Sequence, residues 1–406
     1  MRSEPGVKTA STSPLRLFIS TGEVSGDLQG ALLIEALKRQ AQAAGLKLEI
    51  LALGGDRMAA AGATLLGHTS AIGSFGTVEA LPYIWPTLQI QRRAKRYLRQ
   101  HPPDLVILID YMGPNLAIGS YVRQHLPEVP MVYYIAPQEW VWSFSPRNTT
   151  RIVDLADQLL AIFPEEARYF QAKGAQVTWV GHPLVDRTQL APSRDQARTT
   201  LGIAPDQVAI ALLPASRRQE LKYLLPVMFQ AAQQIQKKLP QAHFWIPFSL
   251  EEFRPPLERA MQQYGLRATL LSGKTQTAIA AADLAITKSG TVNLELALLD
   301  VPQVVLYRVS PLTFWIARHL LKFSIPFMSP PNLVEMKPIV PEFLQDQATP
   351  ENIAQAALEL LLNPERRQQT LADYKVMRQA LGEVGVCDRA AQTMLQLLPQ
   401  TTLHPD

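Results

Sequence analysis

The chain has 406 residues, more than one hydrophobic core usually organises, so two domains are expected. Apolar residues make up 47% and charged residues 18%, which excludes a disordered chain. The single cysteine, Cys387, excludes a disulfide framework or a thiolate cluster, and a net charge of +4 suits an anionic ligand or membrane surface better than nucleic acid.

Residues 1–14 are small and polar, expected as a disordered tail without the apolar stretch of a signal peptide. No window approaches the ~20 apolar residues of a membrane span, so a cytoplasmic protein, at most peripheral to a membrane, is expected. The apolar runs Leu15–Ser20, Leu48–Leu53, Asp104–Ile109, Met131–Ile135 and Gln158–Phe163 read as buried strands. Helical stretches Leu28–Ala43, Leu88–Gln100 and Leu116–His125 lie between them. The polar, proline-bearing segment Asp186–Pro205 reads as an interdomain linker. Beyond it the scheme repeats with Val208–Leu213, His243–Pro247, Asp283–Thr287 and Gln303–Tyr307. Continuous apolar strands alternating with helices predict an α/β fold of two doubly wound, Rossmann-like domains. These span 15–190 and 206–375, with ligands at the carboxyl ends of the strands in the cleft between the domains. Residues 376–406 are expected to form a C-terminal helix and tail packing back on the first domain.

Four turns carry candidate chemistry. The first strand runs into Gly22-Glu23-Val24-Ser25-Gly26-Asp27, whose glycine spacing differs from G-x-G-x-x-G. Glu23 and Asp27 would repel a pyrophosphate and suit sugar hydroxyls; a capped helix start explains the same residues. Asp110, at the end of an apolar strand, is a candidate general base or an Asx turn before Gly113-Pro114. Val208–Leu213 leads to Ser216-Arg217-Arg218, where two arginines at a helix start suit a diphosphate, or are two solvated side chains. Ser289-Gly290-Thr291 offers donors to phosphate, and Glu295 one turn later could take ribose hydroxyls; an ordinary capped helix fits equally.

The seven histidines make no ligand spacing, and Asp-x-Asp, G-x-S-x-G and the P-loop are absent, so no metal or other cofactor is expected. Two aromatic, basic stretches suit an anionic lipid surface or a core-facing aromatic stripe with a solvated back. One holds Trp85, Arg92 and Arg93, the other Trp315 and Phe327.

Taken together these residues resemble the lipid-A-disaccharide synthase family. The matching pieces are Gly22–Asp27, Gly76-Thr77-Val78-Glu79, Asp110 with Pro114-Asn115, and Gly181–Asp186. Further matches are Ser216-Arg217 with Glu220, Ser289-Gly290-Thr291 with Glu295, and Pro331-Asn332-Leu333 before Ile339-Val340-Pro341-Glu342. Ala215 and Met336-Lys337 depart from the family pattern of Gly before Ser-Arg and Gly-Arg after Pro-Asn-Leu. The resemblance implies a GT-B glycosyltransferase that moves 2,3-diacylglucosamine from UDP to the 6-hydroxyl of 2,3-diacylglucosamine 1-phosphate (lipid X), with inversion. It implies Asp110 and Glu23 as catalytic residues. Ser216, Arg217, Ser289, Gly290, Thr291, Glu295 and Asn332 would take the UDP donor, and Ser25, Asp27 and Glu79 the acceptor sugar. UDP, both lipid substrates and the cytoplasmic membrane surface would be its partners, nucleic acid would not, and a homodimer stays open. A soluble UDP-sugar enzyme such as a 2-epimerase, or a non-catalytic nucleotide-sugar binder, would share the donor elements.

Overall fold

The computed structural model describes residues 14–69, 84–141, 143, 145–214, 218–248, 250–315 and 325–398. The expectations for the N-terminal tail, Glu79, Ser216 and Arg217 lie outside the described residues. The chain divides into two compact units, 1–180 with 385–406, and 181–384.

The first unit begins with β1 (Leu15–Ser20), α1 (Val24–Ala43), β2 (Leu48–Gly54), α2 (Asp56–Ala60) and β3 (Thr64–His68). It continues through α3 (Ile84–Gln100), β4 (Leu105–Ile109), α4 (Met112–His125), β5 (Met131–Tyr134) and α5 (Pro146–Leu155). Then come β6 (Gln158–Ala161), α6 (Pro164–Ala172) and β7 (Val177–Trp179). All pairings are parallel, in the order β3-β2-β1-β4-β5-β6-β7. Strands β1 and β4 sit at the centre and are covered on both faces, which is why they read as unbroken apolar runs.

The second unit opens with α7 (Leu184–Thr188), α8 (Arg194–Leu201), β8 (Val208–Leu213), α9 (Arg218–Lys238), β9 (Ala242–Phe248) and α10 (Arg254–Tyr264). It proceeds through β10 (Ala268–Ser272), α11 (Thr275–Ala281), β11 (Leu284–Lys288), α12 (Val292–Leu298), β12 (Gln303–Tyr307) and α13 (Pro311–Trp315). It ends with α14 (Pro330–Glu335), β13 (Glu342–Leu344), α15 (Pro350–Leu362) and α16 (Pro364–Leu381). Its sheet is also parallel, ordered β10-β9-β8-β11-β12-β13. The last helix, α17 (Val386–Leu395), belongs to the first unit, where Asp388 pairs with Arg39 of α1 at 3.0 Å and Arg389 donates to the Val180 carbonyl.

Two expectations are corrected. The segment 186–205 is not a free linker: α8 begins with a capping box at Ser193 and buries Ala197 against the second unit. Its polar composition marks a helix anchored by charge, since Arg194 and Arg198 both reach Asp283. The first unit ends at Val180 rather than near 190, and residues 376–384 stay with the second unit, where α16 continues to Leu381.

Candidate functional site

In the first unit the carboxyl ends of four adjacent strands are lashed together by buried side chains. Asn115, wholly buried on α4, donates its amide to the carbonyls of Ser20, Ile109 and Asp110, and accepts the Ser20 hydroxyl at 2.7 Å. Tyr133 of β5 donates its hydroxyl to the Asp110 carbonyl at 2.9 Å. Glu166 of α6 accepts the backbone N–H groups of Ala136, Ile162 and Phe163, tying the end of β5 to that of β6. Burial pushes its carboxyl up to about 8 against these three donors.

This bracing holds a strained turn. Asp110 and Tyr111 are both left-handed, with φ of 46° and 47°, and so is the β-branched Ile135 at 60°. The Ile135 carbonyl accepts the Asp110 N–H at 2.9 Å. Backbone strain of about 1–3 kcal/mol per residue persists where neighbours over-determine it, and the braces around Asp110 do so. The Asp110 carboxyl is raised to about 7, first by desolvation and then by the nearby Glu23 carboxylate, against a bond from the Tyr111 backbone. The Tyr111 hydroxyl is bonded to Thr87 of α3.

The other acceptor-side candidates separate. Ser25 is half-buried in the first turn of α1, and its hydroxyl has no partner among the described residues. Asp27 accepts the N–H groups of Gly55, Arg57 and Met58, so it caps α2 from a neighbouring helix. That role occupies both of its oxygens. On α3, Trp85 is 61% exposed, and the Arg92 guanidinium lies 5.9 Å from its ring. Arg93, Arg96 and Arg99 are exposed on the same helix. Among the described residues none of these four arginines pairs with a carboxylate.

In the second unit the loop after β11 carries the donor-side candidates. The Ser289 hydroxyl donates to the Met328 carbonyl at 2.6 Å, and the Gly290 N–H to Asn293 Oδ1 at 2.8 Å. The N–H groups of Thr291 and Val292, and the Thr291 hydroxyl, have no partner among the described residues and remain available to an anion. Glu295 is buried, and among the described residues its side-chain contacts are long ones to Arg187 (3.4 Å) and Gln276 (3.3 Å). Asn332 is wholly buried: it bonds Val340 through both backbone groups and Glu342 through its amide. Glu342 also accepts the N–H groups of Met328 and Ser329. Asn332 is thus a brace for the segment that Ser289 contacts. Trp315 is exposed and Phe327 half-buried. Burial lowers His182 to about 3, and its neutral Nδ1 accepts the Leu184 N–H, which makes it part of a turn. Among the described residues no group of three His, Cys, Asp or Glu side chains is placed to hold a metal ion.

The roles of Asn115, Glu166 and Asn293 were not assigned from sequence. Asn115 follows the strand-end candidate Asp110 by five residues, one turn into α4, and Asn293 follows Ser289 by four, as the second residue of α12. That spacing was the available signal.

Two parallel-stranded α/β units are the GT-B architecture of nucleotide-sugar glycosyltransferases and epimerases. The Staphylococcus aureus MnaA–UDP co-structure aligns with a TM-score of 0.64 at 15% identity, covering 95% of this chain and 98% of that one. The glycotransferase of kitacinnamycin aligns at 0.63 and 15% identity, covering 95% and 100%. A family model described as Lipid-A-disaccharide synthetase matches residues 17–397. The lipid-A-disaccharide synthase of Gloeothece citriformis is 64% identical over 381 residues, covering 94% of this chain and 99% of that protein. The chain belongs to the lipid-A-disaccharide synthetase family, and it is a glycosyltransferase of lipid A biosynthesis.

Proposed function

We propose that the chain transfers 2,3-diacylglucosamine from UDP to the 6-hydroxyl of 2,3-diacylglucosamine 1-phosphate, inverting the anomeric carbon. The products are the β-1,6-linked disaccharide 1-phosphate and UDP. The observation that carries this reading is Asp110: a strand-end carboxylate, braced in a strained turn, whose proton affinity is raised to about 7. A base with that affinity suits proton removal from a hydroxyl at neutral pH.

In this mechanism the 6-hydroxyl gives its proton to Asp110 as its oxygen attacks the anomeric carbon, and UDP departs from the opposite face. Glu23 keeps the Asp110 carboxyl basic, and Ser25 offers a hydroxyl to the acceptor sugar. The developing diphosphate charge is met by Thr291, the adjacent N–H groups and Arg217, while Glu295 receives the ribose. The resemblance gives Glu79 and Ser216 to acceptor and donor. Asp27 and Asn332 support these sites through the backbone they hold. No metal is needed, since UDP is a good leaving group once its charge is held.

No helix among the described residues is long and apolar enough to cross a membrane. The reading therefore places the acyl chains at a lipid surface met by α3, with Trp85, Arg92 and Arg93, and by Trp315 and Phe327.

The test is incubation with UDP-2,3-diacylglucosamine and lipid X in mixed micelles, with and without excess chelator, followed by mass analysis. The expected result is disaccharide 1-phosphate formed at the same rate in both arms. Recovery of both lipids unjoined would overturn the reading, and loss of product with chelator would overturn its metal independence.

A further inference from the structure

A chain of wholly buried polar side chains runs from α16 to the loop after β11. Tyr374 donates its hydroxyl to the Val301 carbonyl at 3.3 Å and accepts the Gln303 amide at 3.2 Å. Gln303, the first residue of β12, also donates to the Asn293 carbonyl at 2.8 Å, and its Oε1 accepts the Asn293 amide at 2.9 Å. Asn293 then holds the loop at two points: its Nδ2 donates to the Lys288 carbonyl at 3.2 Å, and its Oδ1 accepts the Gly290 N–H. All three side chains are 0% exposed.

Apolar side chains of similar volume would fill this space without the desolvation that buried amides and a phenol incur. What apolar groups cannot do is fix the backbone at Lys288 and Gly290. A fully satisfied buried network rigidifies the elements that it joins. The far side of the loop is held separately, by Ser289 on Met328. The Asn293 side depends on Gln303 and Tyr374, which lie outside the loop and its helix.

We infer that Gln303, seconded by Tyr374, is a positioning residue for the Lys288–Thr291 loop, acting through Asn293 to hold it in the shape that receives the diphosphate of a UDP-sugar. The inference rests on the donor reading of that loop given above. Neither Gln303 nor Tyr374 touches the ligand in this arrangement; each acts through the backbone geometry that Asn293 enforces.

The test compares wild type, Gln303→Met and Tyr374→Phe by UDP calorimetry, thermal melting and steady-state kinetics. Methionine keeps the volume of glutamine and removes both bonds to Asn293. Each bond of this kind carries a modest net free energy, so UDP should bind Gln303→Met about tenfold more weakly. The acceptor KM should stay within about twofold, because the network makes no contact with the acceptor-side residues among those described. Tyr374→Phe should show a smaller loss in the same direction. A Gln303→Met protein that folds, melts lower and binds UDP as wild type does would reduce the network to a structural role and overturn the inference. Should that variant fail to fold, Tyr374→Phe decides alone, with unchanged UDP affinity overturning it. A wild-type chain that does not bind UDP would instead remove the donor reading on which the inference stands.

Discussion

The ring of Tyr111 occupies the space that a side chain on Gly22 would need: a β-carbon built there falls 1.9 Å from Tyr111 Cε1. Tyr111 follows Asp110 in the same left-handed turn, so this contact sets the end of β1 against the turn that carries the proposed base. Gly22→Ala should therefore displace the Tyr111 ring and, with it, Asp110. Overpacking of this kind costs about 1–3 kcal/mol, and turnover should fall at least about tenfold. Adding Tyr111→Ala should restore melting without restoring turnover. Full activity in the single variant would show that Tyr111 does not position Asp110.

The Asp110 carboxyl must be ionised to act as a base, so kcat/KM should fall below about pH 7 with the slope of one proton. Desolvation is the larger cause of the raised value and Glu23 the second, so Glu23→Gln should move this limb to lower pH without abolishing it. Asp110→Asn should lower kcat by roughly 10²–10⁴.

The same shift has a consequence for stability. Between the ordinary aspartate value and about 7 the folded state holds a proton that the unfolded chain has lost, so this group favours folding as pH falls and opposes it as pH rises through that window. Asp110→Asn should therefore be more stable than wild type at pH 8, with the difference shrinking towards pH 4. Denaturant melts at both values check the sign. A variant less stable at pH 8 would contradict the assigned shift.

Vesicle sedimentation tests α3. Wild type should partition onto vesicles containing phosphatidylglycerol and much less onto phosphatidylcholine alone. Each arginine near an anionic surface contributes about 1 kcal/mol, so Arg92→Gln with Arg93→Gln and Trp85→Ser should weaken partitioning more than about tenfold. Unchanged partitioning would place the lipid surface elsewhere.

Met336 ends α14 with φ of 51°, a left-handed cap that favours glycine. It is also a position where the sequence departs from the family pattern. Met336→Gly removes the steric cost of that conformation against a larger loss of backbone freedom, and should stabilise the protein by roughly 0.5–1 kcal/mol. Denaturant midpoints of the two proteins decide it.

Strand legibility followed burial. The nine apolar runs read as strands correspond to β1, β2, β4, β5, β6, β8, β9, β11 and β12. The four strands that were not read, β3, β7, β10 and β13, are the outer strands of the two sheets. An outer strand such as Val177–Trp179 is largely exposed and has no continuous apolar run to recognise. In the same way Asp110 stood out as a candidate because its neighbours are apolar, whereas the capping bonds of Asp27 left no such mark. Its partners Gly55, Arg57 and Met58 come from a later turn of the chain, and a carboxylate that caps a distant helix looks in sequence like one that meets a sugar. The bracing bonds of Asn332 to Val340 and Glu342 were invisible for the same reason, until the segment folds back.

The return of α17 to α1 also bears on how the chain is made. Helix α1 is synthesised before the second unit and α17, with its buried Cys387, Ala391 and Met394, after it, so the α1 surface that packs against α17 waits until the second unit has left the ribosome. During that interval the second unit can form as a continuous stretch while the first stays unfinished, with an apolar helix face open to chaperones or to other nascent chains. Premature termination between residues 180 and 385 would leave that face uncovered, whatever the state of the second unit.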